Sequence, residues 1–313
     1  MTRKVIIDGD PGIGEAVALC MALFDPRLEV VAVTAVAGCV SAKQATLNTQ
    51  TLIDHLDPPR MPRAGAAMDL EQAPPVTHVP SQGTDGLGNS NLKSVRHQHT
   101  HLSEKLIIDE VRANPDEISI LCLGPLTNVA RAFQRDPMLP TMIDRLVIAG
   151  GSWGGVGNVT PAAEFNMHYD PVGAREVFQS PTTKTLVSLD VTRRVPFHLD
   201  LIDQLPADTT RAGMLLRQIV PFYFRSYRQG LGTESIQLPE AVALIALLHP
   251  ELFETEEMLG DVETRGELTM GATVFDRRPN VGLRSNMEVA ISAHAAAITD
   301  SLVRGLRRAN DYT

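Results

Sequence analysis

The chain has 313 residues, 43% of them hydrophobic, and a formal charge of −9. That length allows one large or two modest domains with a substantial core, and the acidic balance excludes the basic stripe of a nucleic-acid surface. No apolar run is long enough to span a bilayer and no signal-peptide region precedes the first strand. The scattered Cys20, Cys39 and Cys122 lie in apolar contexts and read as reduced thiols, so a cytoplasmic location is expected.

Residues 4–7 form a short apolar run that reads as a buried strand, and residues 16–24, rich in helix formers, predict a buried helix. Between them, Asp8, Asp10 and Glu15 sit in a turn built with Gly9, Pro11, Gly12 and Gly14. In open α/β sheets that edge, outside the carboxyl ends of the strands, is where ligands bind. Carboxylates this close raise one another's pKa unless a cation or solvent screens them. A bound divalent cation answers that demand. So does a solvated loop in which Glu15 is favoured near a helix N-terminus.

Residues 28–37 read as a second strand, and Ser41 caps a predicted helix reaching about residue 56. This strand–helix alternation signals a parallel sheet. Residues 57–83 read mostly as loop and lead into a turn over 82–89. His97, His99 and His101 alternate ahead of a helix at 102–112 and read as a solvated loop rather than a transition-metal site. A third strand at 118–123 precedes a helix at 126–133. A fourth, at 146–149, ends in the glycine-rich run 150–158. No Gly-Lys-Ser/Thr follows, so that run reads as a flexible loop at the same sheet edge and not as a phosphate cradle. A helix from Asp170-Pro171 to Phe178 and a fifth strand at 185–189 come next, closing on Asp190-Val191-Thr192. Residues 196–235 are helical and more polar, with aromatics at Phe222, Tyr223, Phe224 and Tyr227. Pro239 opens an apolar helix over 241–248, residues 263–289 alternate like a hairpin or meander, and a last helix spans about 293–307.

Asp8-Gly9-Asp10-Pro11-Gly12 resembles the opening signature of the inosine-uridine preferring nucleoside hydrolases, Asp-x-Asp-Pro-Gly-x-Asp-Asp. The likeness continues in Asp85-Gly86-Leu87-Gly88, Gly124-Pro125-Leu126-Thr127-Asn128, the run from Gly157 to Asn166, Leu189-Asp190-Val191-Thr192 and the helix at 240–250. It spans nearly the whole chain, in order. The resemblance implies a Rossmann-like α/β fold, a mainly parallel β-sheet flanked by helices in a single domain over 1–313. It also implies hydrolysis of the N-glycosidic bond of a ribonucleoside or related N-riboside by a Ca2+-activated water, in a homodimer or homotetramer. Asp10 then takes the proton of that water, and Asp8 supports the metal site. Asp10, Glu15, Glu240 and the Leu123 carbonyl bind the ion, and Asn158, Glu164 and Asn166 hold ribose hydroxyls.

The departures from the family pattern carry their own expectations. Gly14 stands where an Asp would bind a ribose hydroxyl, and Cys39 where an Asn would make another sugar contact. Gln82 and Pro239 replace His residues. Glu15 and Glu240 replace Asp, and each adds a methylene, so both must fold back or the ion must move by on the order of 1 Å. Gly14 and Cys39 point to an altered substrate choice, because a lost hydroxyl contact in a polar site changes discrimination. Arg193 reads as a surface ion pair, with a phosphate contact as the alternative. Tyr223 and Tyr227 read as core or lid packing, with base stacking as the alternative. The competing class is a non-catalytic protein that binds a nucleoside-like ligand on the same fold.

Overall fold

The computed structural model describes residues 2–71, 80–94, 101–278 and 284–312. The strands are β1 (Arg3–Gly9), β2 (Leu28–Ala35), β3 (Arg63–Ala66), β4 (His101–Leu102), β5 (Ile118–Cys122), β6 (Arg145–Ala149), β7 (Lys184–Val187), β8 (Phe253–Val262), β9 (Thr273–Asp276) and β10 (Met287–Ala293). They form one sheet of order β4-β3-β2-β1-β5-β6-β7-β10-β8-β9. Every pairing from β4 to β10 is parallel, and β8 joins β10 and β9 antiparallel. The mainly parallel α/β sheet expected from the strand–helix alternation is therefore present.

The helices are α1 (Ile13–Leu23), α2 (Ala42–Leu56), α3 (Ser103–Ala113), α4 (Thr127–Arg135), α5 (Phe165–Tyr169), α6 (Pro171–Gln179), α7 (Leu189–Thr192), α8 (Leu201–Gln204), α9 (Arg211–Leu231), α10 (Pro239–Leu248) and α11 (Ala295–Arg308). Side chains alternate across a strand, so the sheet feeds two cores. Val5 and Ile7 of β1 pack with α1, α2, α9, α10 and α11 on one face. Ile6 packs with α3, α4 and α6 on the other. α1 and α10 are buried nearly all round, which explains their continuous apolar sequences. Because β1, β2, β5, β6 and β7 run parallel, their carboxyl ends and the turns after them meet at one edge.

Several elements differ from the sequence expectation. β3 lies in the stretch read as loop, because Arg-Ala-Gly-Ala has no β-branched residue to mark it. The hairpin expected over 263–289 is shifted: β8 precedes that segment, and its exposed half, rich in Glu, hides the alternation. β7 stops at Val187, and residues 189–192 turn into α7 instead of extending the strand. Residues 196–235 hold two separate helices, α8 and α9. His97 and His99 lie outside the described residues, and His101 is exposed in β4. Among the described residues no helix is long and apolar enough to cross a membrane.

Candidate active site

At the carboxyl edge of the sheet lies a cavity of about 380 Å3. Asp10, Glu15, Cys39, Leu123, Asn158, Glu164, Asn166 and Glu240 all lie on its wall. They come from the turns after β1, β2, β5 and β6 and from the first turns of α1, α5 and α10. The fold thus brings together most of the residues singled out in the sequence, from distant parts of the chain. Asp8 and Gly14 do not line the wall.

Asp8 stands behind it, fully buried near the end of β1. Its Oδ1 accepts from Thr34 Oγ1 at 2.6 Å and Asn128 Nδ2 at 2.8 Å, while Oδ2 is buried with no partner. Burial pushes its carboxyl up to about 7 despite those two bonds. Asn128 also donates to Ala35 O at 2.8 Å, so one amide ties α4 to the ends of β1 and β2.

Asp10 Oδ2 accepts from the Cys39 backbone N–H at 2.6 Å, and the Cys39 thiol donates to the Asp10 carbonyl at 3.0 Å. Burial raises the Asp10 carboxyl to about 6. Burial, with the Asp10 and Glu15 charges added, pushes the Cys39 thiol well up, so it is a donor and not a nucleophile. Glu15 Oε2 accepts from Gly12 N at 3.1 Å, closing the first turn of α1. Burial holds the Glu15 carboxyl well above its usual range, and the Asp10 and Glu240 charges add to it. Glu240, in the first turn of α10, is raised to about 7 by burial, with Asp10 and Glu164 contributing, and its Oε2 has no partner.

The sugar-facing candidates are tied down differently. Glu164 caps α5: its Oε2 accepts from Gly151 N at 3.0 Å and Met167 N at 3.2 Å, and burial lifts it to about 7. Asn166 Nδ2 donates to Leu123 O and Ala149 O, both at 3.0 Å. Its amide hydrogens are therefore spent on backbone, and it meets a ligand as an acceptor. Asn158 is the reverse, since its Oδ1 accepts from Phe165 N at 2.9 Å and its NH2 remains a donor.

Among the described residues no three His, Cys, Asp or Glu side chains already converge as a finished metal cage. The donor set nonetheless fits a hard cation. It is built of oxygens, the charges acting on Glu15 and Glu240 are other carboxylates, and Asp8 and Glu240 each bury an unpartnered oxygen.

The profile of the inosine-uridine preferring nucleoside hydrolases matches residues 5–300. The chain belongs to that family. It is 35% identical to a probable uridine nucleosidase 2 of Oryza sativa subsp. japonica, over 88% of this chain and 82% of that one. It is also 35% identical to the non-specific ribonucleoside hydrolase RihC of Salmonella enteritidis, over 92% of each. A solved plant nucleoside hydrolase, PpNRh1, superposes with a TM-score of 0.90 at 28% identity, covering 98% of this chain and 99% of its own. The expectation of a nucleoside N-glycosyl hydrolase stands with the family.

For a nucleoside hydrolase, several residues act otherwise than their types suggested. Among the described residues Arg193 pairs with no acid: it donates to Val156 O at 3.2 Å and Gly157 O at 2.7 Å. Asp190 accepts from Ser152 Oγ at 3.0 Å and from Trp153 and Gly154 N–H at 2.8 and 3.2 Å. Both pin the glycine-rich loop. Gln82 caps α1, accepting from Ile13 N at 2.8 Å. In the aromatic cluster Tyr223 and Phe224 belong to the core and Tyr227 packs against it, as expected, while Tyr223 and Tyr227 also reach the cavity wall, their rings edge to face at 4.9 Å. Sequence reasoning missed Asn48, whose amide donates to Pro11 O at 2.9 Å and Asp85 O at 2.8 Å and so holds the acidic turn against the 82–89 turn. Its one signal was a buried amide on the helix face that should be apolar.

Proposed function

We propose that the chain hydrolyses the N-glycosidic bond of a ribonucleoside or related N-riboside in this cavity, with Asp10 as the general base. The reading rests on one observation: Asp10, Glu15 and Glu240 wall the same cavity at the strand ends, and Glu240 carries an unpartnered oxygen there. Ca2+ is the cation we assign to it, held by Asp10, Glu15, Glu240 and the Leu123 carbonyl with Asp8 in support. When bound it supplies the positive charge that acidifies water and gathers sugar hydroxyls.

The chain's own groups supply the rest. Asp10, oriented by the Cys39 N–H, takes a proton from the water that attacks the anomeric carbon. Breaking the C–N bond builds oxocarbenium-like charge on the ribosyl group, and the surrounding carboxylates stabilise it. Asn158 donates to the sugar, and Glu164 and Asn166 accept from it. Tyr223 and Tyr227 also line the cavity, and we assign to them the contact with the leaving base. Gly14 and Cys39 offer no strong polar contact of their own to a sugar, which favours a substrate choice different from that of the signature's usual bearers. We further assign a cytoplasmic location, which the free cysteines suit, and a homodimer or homotetramer.

A panel of ribonucleosides and 2′-deoxyribonucleosides, incubated with the purified protein and Ca2+, tests the reading by chromatography of free base. Turnover is expected on at least one ribonucleoside. Asp10→Asn keeps an acceptor for the Cys39 N–H and should lower kcat by about 100-fold or more. Full activity in that variant would remove Asp10 from the role of base. Binding without turnover by the parent would favour the ligand-binding alternative.

A further inference from the structure

Of the three glutamates at the cavity, Glu15 and Glu240 are each seated on a glycine. A Cβ built on Gly9 would overlap Glu15 Oε1 and lie 2.8 Å from Glu15 Cδ. A Cβ built on Gly14 would overlap Glu240 Oε2 and lie 2.6 Å from its Cδ and 2.8 Å from its Oε1. Neither glycine adopts the left-handed backbone that would by itself require glycine. Gly14 sits in the first turn of α1, where alanine is the better helix former. What the two positions provide is the room left by a missing side chain.

The geometry points to Gly9 and Gly14 as positioning residues, notches that receive the carboxylates of Glu15 and Glu240 and aim them at the bound cation. The inference rests on the cation reading of the cavity and adds to it. Positions 9 and 15, and positions 14 and 240, form two coupled pairs, and the extra methylene of each glutamate is taken up where a Cβ is absent. Glu240 Oε2 gains no protein hydrogen bond from its seat, so steric room and not hydrogen bonding is what the notch supplies. Glu15 shows the same folding back with one oxygen still anchored on Gly12 N. The carboxylate at the far end of a flexible side chain is the part that must yield if a Cβ is added. Gly14→Ala therefore displaces the Glu240 carboxylate and leaves the helix intact.

The test is calorimetric titration of Ca2+ into the parent, Gly14→Ala, Glu240→Asp and the double variant Gly14→Ala/Glu240→Asp, with thermal melting in chelator as the measure of folding. Gly14→Ala should bind Ca2+ roughly 10–100-fold more weakly, with no loss of melting temperature in chelator. The shorter aspartate withdraws from the notch, so the double variant should bind more tightly than Gly14→Ala alone. Gly9→Ala and its rescue by Glu15→Asp form the parallel pair for the other notch. Parental affinity in Gly14→Ala overturns the notch, and so does a double variant that binds no more tightly than Gly14→Ala. A parent that binds no Ca2+ fails earlier, at the cation reading, and the notch falls with it.

Discussion

Burial without a compensating positive charge is the property shared by the acids of this cavity, and it makes their titration visible in stability. Glu164 shows it most simply, because its carboxylate also caps a helix. Burial raises it from the ordinary 4.5 to about 7, so the folded chain holds the proton more firmly than the unfolded chain. The resulting stabilisation is complete below about 4.5 and is lost as pH rises through about 7. In chelator the parent should therefore melt lower at pH 8 than at pH 5. Glu164→Gln keeps an acceptor for Gly151 and Met167 but has nothing to titrate, and its melting temperature should fall less over that interval. Equal slopes for the two proteins would show that Glu164 is not held protonated. Asp8, which the signature marks for support of the metal site, stands behind the wall, bonded to Thr34 and Asn128.

The glycine-rich loop after β6 is the element whose order most affects the cavity, since it carries Asn158 to the wall. Glycines contribute no side-chain packing, and the loop is held from outside, by Asp190 accepting at its start and Arg193 donating at its end. Arg193→Ala removes two hydrogen bonds to Val156 and Gly157 without touching the cavity wall. The expected result is a severalfold rise in KM with kcat little changed, because ground and transition states lose the same sugar contact. An unchanged KM would mean that Arg193 is not what orders the loop. On the other side of the site, Asn48 of α2 and Gln82 play the corresponding part for the acidic turn, holding backbone so that Asp10 and Glu15 keep their places.

At the scale of the molecule, a parallel sheet gathers the carboxyl ends of β1, β2, β5 and β6, and α10 brings Glu240 in over the same edge. Mutual repulsion among these acids opposes folding until a cation is bound. Ca2+ should therefore stabilise the native state by about 2.7 kcal/mol at one hundred times its Kd, seen as a rise in melting temperature that chelation reverses. Glu240→Gln should lose most of that rise. A melting temperature indifferent to Ca2+ in the parent would remove the cation from the site. Light scattering should give two or four times the mass of one chain; a monomer at micromolar concentration would overturn the proposed assembly.

What depends on neighbours along the chain was legible in the residue order: the apolar strands around β1, the capped and buried helices, the acidic turn and the ordered motifs that mark the family. Local pattern was silent where elements carry little of it, as in the small residues of β3 and the charged face of β8. It was also silent on every property set by partners far along the chain. Contacts made in space set Asp8 behind the cavity wall, spend the Asn166 amide on Leu123 and Ala149, and make Arg193 the holder of a loop. They also set the Glu240 carboxylate against Gly14. Hydrogen bonding, desolvation and steric room are functions of distance in space, and a chain folded into a parallel sheet makes neighbours of residues that its order keeps apart.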